Sequence, residues 1–259
     1  TIFLMEYPHV SILVPTYNRK QFLPIFLKNI TSMDYEKEKL EVCILDDGQE
    51  KFIEDDIYHH IQQLISPISF KYVYSPVKQG IGHKRNSLVD MASHDILINM
   101  DDDDIFFPSY IKHSVEVLYQ KQCGLVGCMN IIIVFPQHNY DVILIRPTDQ
   151  HKTQIGEGTM CFTRSHYEYM GGFKTDVSTG EGLQMIENNE NNVDFTDHRY
   201  TIFQIAHPTN TFSKDIFYNL STEYNRASME KSTPYVFHNY LTLLEQVTQI
   251  PYVQSNNDS

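Results

Sequence analysis

Four consecutive carboxylates, Asp101-Asp102-Asp103-Asp104, end the apolar run Ile96-Leu97-Ile98-Asn99-Met100 and precede Ile105-Phe106-Phe107-Pro108. The apolar run reads as a buried strand, and a strand end is a costly place to hold four like charges. Either solvent accepts them as an acidic turn, or a cation offsets them, and a divalent ion with oxygen ligands is the simplest offset. A second stretch, Gly80-Ile81-Gly82-His83-Lys84-Arg85-Asn86, sets two glycines before a helical segment with two cations near its start. Glycine permits close backbone approach, and a helix N-terminus presents free N–H groups to an anion. Lys84 and Arg85 stand where the helix dipole disfavours positive charge, a local conflict that a bound phosphate would relieve. Asp46-Asp47 and Thr16-Tyr17-Asn18 follow two further apolar runs, and each alone reads as a turn or a helix cap.

The elements that position these residues alternate regularly. Strands are expected at His9–Val14, Leu40–Leu45, Ile68–Tyr74 and the run before Asp101. Helices are expected at Lys20–Ile30, around Ile53, Ile57, Ile61 and Leu64, at His83–Ala92, and around Ile111, Val115 and Leu118. This βαβαβαβα order predicts an α/β fold, a mostly parallel central sheet flanked by helices. Ligands bind at the carboxyl ends of such strands, so the four polar stretches would share one edge. The second half predicts strands at Leu125–Phe135 and Val142–Ile145, joined by a turn at 136–139, and at Thr159–Thr163 and Tyr200–Ala206. Glu187–Asp197 is polar enough to predict a mobile loop, and Val236–Val247 a last helix. We expect one domain over residues 1–220, with a nucleotide-binding half at 8–108 and an acceptor half at 109–220. Residues 221–259 would form a C-terminal helical extension and a frayed tail.

Composition narrows the function. At 259 residues and 41% hydrophobic content the chain can bury a large core. A net charge of −13 argues against nonspecific binding to nucleic acid or anionic membrane. Cys43, Cys123, Cys128 and Cys161 are scattered, matching neither a disulfide framework nor a zinc site, so free thiols in a reducing compartment are expected. No apolar run reaches the length of a membrane span, and Thr1–Tyr7 lacks the parts of a signal peptide. A cytoplasmic protein, or one peripheral to a membrane, is the expectation.

Taken in order, Val10-Ser11-Ile12-Leu13-Val14-Pro15-Thr16-Tyr17-Asn18-Arg19, Leu45-Asp46-Asp47-Gly48, Gly82-His83-Lys84-Arg85-Asn86 and Met100-Asp101-Asp102-Asp103-Asp104 resemble the family-two glycosyltransferases. The likeness is specific over about residues 10–108 and looser to His207. It implies the GT-A fold, also called the nucleotide-diphospho-sugar transferase fold. It further implies that Pro15, Thr16, Tyr17 and Arg19 line the nucleoside pocket, that Asp46 bonds the base with Asp47 beside it, and that Lys84 and Arg85 face the diphosphate. Asp101 and Asp103 match the family's Asp-x-Asp element. The first would lie near the ribose, and the second would bind Mn²⁺ or Mg²⁺. Asp102 lies between them on the donor side, and Asp104 would orient the donor sugar. His207 is the expected third metal or phosphate ligand, with His198 its competitor. Inverting members carry a carboxylate base in a Gly-Glu-Asp element after Gly-Gly-Phe. Here Gly171-Gly172-Phe173 is followed by Gly180-Glu181-Gly182, with Gly182 in place of the Asp. Glu181 is therefore the candidate base, and Asp176 and Glu187 are the alternatives.

The resemblance implies a metal-dependent, inverting transferase moving a sugar from a UDP-sugar donor to a glycan or other hydroxyl acceptor. Three rivals stand beside it: a non-catalytic nucleotide-sugar binder, which Gly182 keeps open; a sugar-nucleotide pyrophosphorylase, which would want a Gly-rich turn where Pro15-Thr16-Tyr17-Asn18 stands; and a calcium-binding module, which leaves Lys84 and Arg85 unexplained.

Overall fold

Val10–Thr16 (β1) is buried at every position because both its faces are covered and both its edges are paired. In the computed structural model, which describes residues 6–147, 151–210, 213–218, 235–251 and 253, its side chains alternate between two cores. Val10, Ile12 and Val14 pack with Phe26 and Ile30 of α1 (Leu23–Ser32), Ile61 and Ile65 of α2 (Asp55–Ile65), and Val115 and Leu118 of α4 (Tyr110–Lys121). Leu13 faces the other way, onto Leu88 and Val89 of α3 (Ile81–Met91). A two-residue period that is apolar on both sides is what a central parallel strand requires.

On one edge β1 pairs in parallel with β2 (Leu40–Asp46), in a register that sets Thr16 beside Asp46. On the other it pairs in parallel with β4 (Ile96–Asn99), with Leu13 beside Asn99. The residues just past Thr16, Asp46 and Asn99 therefore emerge side by side, as expected of an α/β sheet. With β3 (Ser69–Tyr74), β6 (Leu125–Gly127), β9 (Cys161–Thr163) and β10 (Val193–Phe195) the sheet has seven strands, ordered β10-β6-β9-β4-β1-β2-β3. Its pairs are parallel except those of β9, which runs antiparallel to β4 and β6.

The second half departs from expectation in two places. Leu125–Phe135 is not one strand. It breaks after Gly127, and Ile131–Phe135 (β7) joins a second, four-stranded sheet ordered β5-β11-β7-β8. The partners there are β5 (Ile105–Phe106), β8 (Asp141–Ile145) and β11 (Ile202–Ile205). Nor is 187–197 all loop, since Val193–Phe195 pairs in parallel with β6 as an edge strand. One buried side, carried by Val193, suffices for an edge, so its polar neighbours do not prevent pairing. A last helix, α5 (Tyr235–Thr248), sets Tyr240 and Leu244 against the small sheet and α1. Much of the expected frayed tail, 219–234 and 254–259, lies outside the described residues. All four cysteines are free thiols. Among the described residues no helix is long and apolar enough to cross a membrane.

The base of the large sheet is tied by Glu41, 1% exposed on β2. Its carboxylate accepts from the Ser11 hydroxyl at 2.6 Å, the Ser93 N–H at 2.7 Å and the Ser93 hydroxyl at 2.9 Å, and it pairs with Lys71 at 2.7 Å. Burial works against its charge, but the Lys71, Ser11 and Ser93 bonds outweigh it and lower its pKa from 4.5 to about 2. A depressed pKa contributes stability that is fully present above the ordinary value and is lost as pH falls through the folded one. Glu41→Gln should therefore cost roughly 3 kcal/mol at pH 7. The gap in Tm between variant and wild type should close as pH falls from about 4.5 toward 2. A gap of constant size across that window would show that the ionised carboxylate is not its source.

Candidate functional site

Of the four carboxylates that follow β4, only Asp101 keeps as much as 30% of its side chain in solvent. Asp102, Asp103 and Asp104 are 3%, 9% and 2% exposed, and each of the four meets a partner from a different stretch. Arg85 Nη2 donates to Asp101 Oδ1 at 3.3 Å. The Thr16 hydroxyl donates to Asp102. Asp103 Oδ2 lies 3.0 Å from both Arg19 Nε and His207 Nε2. Asp104 Oδ1 accepts from the Ile205 N–H at 2.9 Å and faces Lys214 Nζ at 3.5 Å.

These partners divide the charge unequally. Burial opposes ionisation of Asp103, yet the His207 bond and the charges of Arg19 and Lys214 win and hold its carboxyl below the usual range. With Asp103 ionised, its neighbours are pushed the other way. Burial and the Asp103 charge raise Asp102 well above its ordinary value. Burial, opposed by Lys214 but reinforced by Asp103, raises Asp104 to about 7. Burial lowers the His207 imidazole despite its carboxylate partner. The ring packs at a tilt of 43° against Phe22, centroids 4.6 Å apart, which fixes its position.

The start of α3 is pressed against another segment. A Cβ on Gly82 would lie 1.8 Å from the Lys174 carbonyl oxygen, so only glycine allows the approach. Lys84, expected at the diphosphate, points inward instead. It is 6% exposed, donating to Asp47 Oδ1 at 2.7 Å and to the Thr16 carbonyl at 3.0 Å. The reason is Asp47, a buried carboxylate that needs a counterion. Asp46 is likewise engaged within the protein. It is 0% exposed, and its oxygens accept from the Gly48 N–H (2.9 Å), the Phe52 N–H (2.7 Å) and the Tyr72 hydroxyl (2.7 Å). Pro15 is buried within β1. Arg19, expected at the nucleoside, is instead a counterion of Asp103. Tyr17 remains half-buried at the edge with Lys78 Nζ 4.2 Å from its ring centre, an aromatic face with a cation above it.

Arg85 is 3% exposed and binds two carboxylates at once, Asp101 and Glu181, the latter through Nε at 2.9 Å. Burial opposes its charge, but Asp101 and Glu181 more than offset this, so it stays a cation. Its Nη1 is buried with no hydrogen-bond partner, a donor left over for an anion. Glu181, the expected base, is therefore the buried partner of Arg85, 4% exposed. Of the two alternatives, Asp176 is exposed, and Glu187 is exposed and paired with Lys174 at 3.2 Å. The segment is anchored by Asn86, which donates to the Phe173 carbonyl and accepts from its N–H, both at 2.9 Å. His198 lies 3.4 Å from Asp197 and takes no part in the Asp103 contact. Three site residues had no motif to point to them: Lys78, Lys214 and the half-buried Glu157. A glycine at 182 where a carboxylate is expected was the available clue to Glu157.

Among the described residues no three His, Cys, Asp or Glu side chains are gathered as a metal cage. Two protein ligands suffice where substrate phosphates complete the shell, which is the common arrangement for Mg²⁺. The Asp103–His207 contact at 3.0 Å, with Asp101 on the same loop, supplies carboxylate oxygens suited to Mn²⁺ or Mg²⁺ and an imidazole that favours the softer Mn²⁺ of the two. The residues fit such an ion, with Arg19 as the group that must yield.

Comparison with known proteins gives the family and the fold. The family described as Glycosyl transferase family 2 matches residues 11–171, more than half of the chain. An uncharacterized glycosyltransferase of Haemophilus influenzae is 30% identical over 113 residues, 43% of this chain and 35% of its own length. The GalNAc(5)-diNAcBac-PP-undecaprenol beta-1,3-glucosyltransferase of Campylobacter jejuni is 32% identical over 116 residues, 44% of this chain and 34% of its own length. The chain thus spans only a third or so of the relatives it matches. The mannosyltransferase PcManGT from Pyrobaculum calidifontis, in complex with GDP-Man and Mn²⁺, superposes with a TM-score of 0.60 at 20% identity, over 94% of this chain and 70% of that one. TarS 1-349 of S. aureus, in complex with UDP-GlcNAc, gives 0.59 at 13% identity, over 92% and 81%. At these identities the likeness shows a shared GT-A fold.

The two glycines ahead of Lys84 should behave oppositely. A Cβ on Gly80 meets nothing nearer than 3.7 Å, so Gly80→Ala should shift stability by less than about 0.5 kcal/mol. Gly82→Ala must push residue 174 off the helix, costing about 3 kcal/mol. At this chain length that is a fall in Tm of roughly 6–12 °C. Equal melting temperatures for the two variants would show that the contact does not constrain the helix.

Proposed function

The chain belongs to the family 2 glycosyl transferases, and we propose that it moves a glycosyl group from a nucleoside diphosphate to a hydroxyl acceptor. The observation that carries this reading is the acid cluster past β4, closed by cations from several separate segments at the carboxyl ends of β1, β2 and β4. Such a place holds a cation and an anion together, which is what a metal-bound diphosphate is.

In this reading Asp103, Asp101 and His207 hold Mn²⁺ or Mg²⁺. When bound, the ion supplies Lewis-acid stabilisation of the charge that builds on the leaving diphosphate. Arg19 and Lys214, freed from Asp103 and Asp104, meet the diphosphate's remaining charge. Arg85, with its spare Nη1 donor, holds Asp101 in place. Tyr17 offers the nucleobase a stacking face beside Pro15 and Thr16, and Lys78 lies at its border. UDP is the nucleotide we assign, as in the UDP-GlcNAc complex of the S. aureus protein, with GDP the competitor from the Pyrobaculum one. Transfer is an inverting single displacement. The acceptor, a glycan or other hydroxyl compound, attacks from the face opposite the diphosphate, and one carboxylate removes its proton. Gly182 favours a second reading, a nucleotide-sugar binder without turnover, because it removes the family's usual carboxylate.

A thermal-shift panel of UDP, GDP and their common sugars, each with and without Mn²⁺, tests the reading. A Mn²⁺-dependent rise in Tm with a nucleoside diphosphate is expected, and its absence across the panel would sink the proposal. In Asp103→Asn that metal-dependent rise should vanish, while the metal-free protein still melts cooperatively. An unchanged Mn²⁺ response in the variant would move the ion elsewhere.

A further inference from the structure

We propose that Glu157 is the general base of this chain, its side chain occupying the space that Gly182 leaves where the family carries a carboxylate. This rests on the transferase reading above and adds to it the residue that accepts the proton. The starting observation is why residue 182 is glycine. Its backbone, at φ −81° and ψ −11°, is a conformation that any residue adopts, so chain geometry does not require glycine there. Space does. A Cβ at 182 would lie 2.7 Å from Glu157 Cγ and 2.6 Å from Met160 Cε. The side chain missing at 182 and the one present at 157 therefore compete for one volume.

The turn Glu157–Thr159 is built against the acid cluster. Asn99, the last residue of β4, donates through Nδ2 to the Glu157 carbonyl at 2.7 Å. Gly158 packs so closely on Asp101 that a Cβ there would lie 2.4 Å from Asp101 Oδ2. The Glu157 carboxylate rests against its own N–H and that of Gly182. The other candidates are placed differently. Glu181 is held by Arg85, and Asp176 and Glu187 are exposed. Glu157 is half-buried, its neighbour Gly158 lies against Asp101, and no ion pair reaches it among the described residues. Burial, with the Glu181 charge, raises its carboxyl, which makes the carboxylate a better proton acceptor near neutrality.

The step balances. As the acceptor oxygen forms its bond to the anomeric carbon, its O–H proton passes to a Glu157 carboxylate oxygen. The bond from the anomeric carbon to the diphosphate oxygen breaks, and its electron pair leaves with the nucleoside diphosphate. Glu181 then acts as a positioning residue, holding Arg85 on Asp101.

The test uses the 259-residue chain with Mn²⁺ and UDP-glucose, UDP-GlcNAc or GDP-mannose, water as acceptor, and release of nucleoside diphosphate as the rate. In Glu157→Gln, which keeps the shape, the rate should fall about 10²- to 10⁴-fold. Tm and the nucleotide-dependent shift in Tm should stay as in wild type. The double variant Glu157→Ala/Gly182→Asp, in which the new carboxylate has the vacated space, should recover at least roughly tenfold over Glu157→Ala alone. Gly182→Asp in the wild-type background should instead lower Tm, because Glu157 is in the way. A Glu157→Gln rate near wild type overturns the proposal. So does a loss of nucleotide affinity as large as the loss of rate, or a folded double variant no faster than Glu157→Ala. Wild-type protein that binds nucleotide but releases none from the sugars overturns the base while leaving the binding reading intact. Wild-type protein that binds none of the panel overturns both.

Discussion

Mutual repulsion among four adjacent carboxylates, three of them buried, is the constraint on which this molecule turns. Asp101 to Asp104 cannot all be ionised in a low-dielectric strand end without counterions, and no one neighbour supplies enough. The chain answers with Arg19 from the loop after β1, Arg85 from α3, and His207 and Lys214 from beyond β11. Burial and mutual repulsion divide what is left: Asp103 is held below the usual carboxylate range while Asp102 and Asp104 are driven above it. Most of the long-range order at the site follows from that arrangement.

Uncharged contacts hold the same region in shape. Asn29, buried on α1, donates to the Asp104 carbonyl at 2.8 Å and accepts from the Phe106 N–H at 3.2 Å and the Tyr240 hydroxyl at 2.8 Å. One amide thus ties the loop after the acid cluster, the small sheet and the last helix together. Asn86 does similar work for the Gly171-Gly172-Phe173 turn. A buried amide whose donors and acceptors are met fixes geometry as well as adding stability.

The first half of the fold was legible because both its signals were strong: apolar runs of strand length alternating with helical periodicity, each ending in polar residues. The second half was less so, for physical reasons. Leu125–Phe135 is apolar throughout, so nothing in its composition marks the break after Gly127 that sends its halves to different sheets. Val193–Phe195 needs one apolar side chain to be an edge strand, too little for periodicity to register. At the site, residue types pointed to the edge where these side chains gather but not to their contacts. Lys84 and Asp47 neutralise each other, and Arg85 and Glu181 do the same, across 37 and 96 positions of sequence. Pairings at such distances leave no local trace. Lys214, with no motif around it, could only be found by folding the chain.

The spread of these counterions along the chain has a consequence for when the protein can fold. All of β1 to β4 has emerged by residue 99, yet the acidic end of β4 meets His207 and Lys214 only after more than a hundred further residues have been made. At synthesis rates of about 5–20 residues per second, that leaves a waiting period of several seconds or more. During it, the N-terminal part carries four strands of its sheet and the cations Arg19 and Arg85, but not the His207 and Lys214 that complete the set. Such a part is a poor stopping point. The nascent chain should settle late, with segments made more than a hundred residues after β4 completing the site.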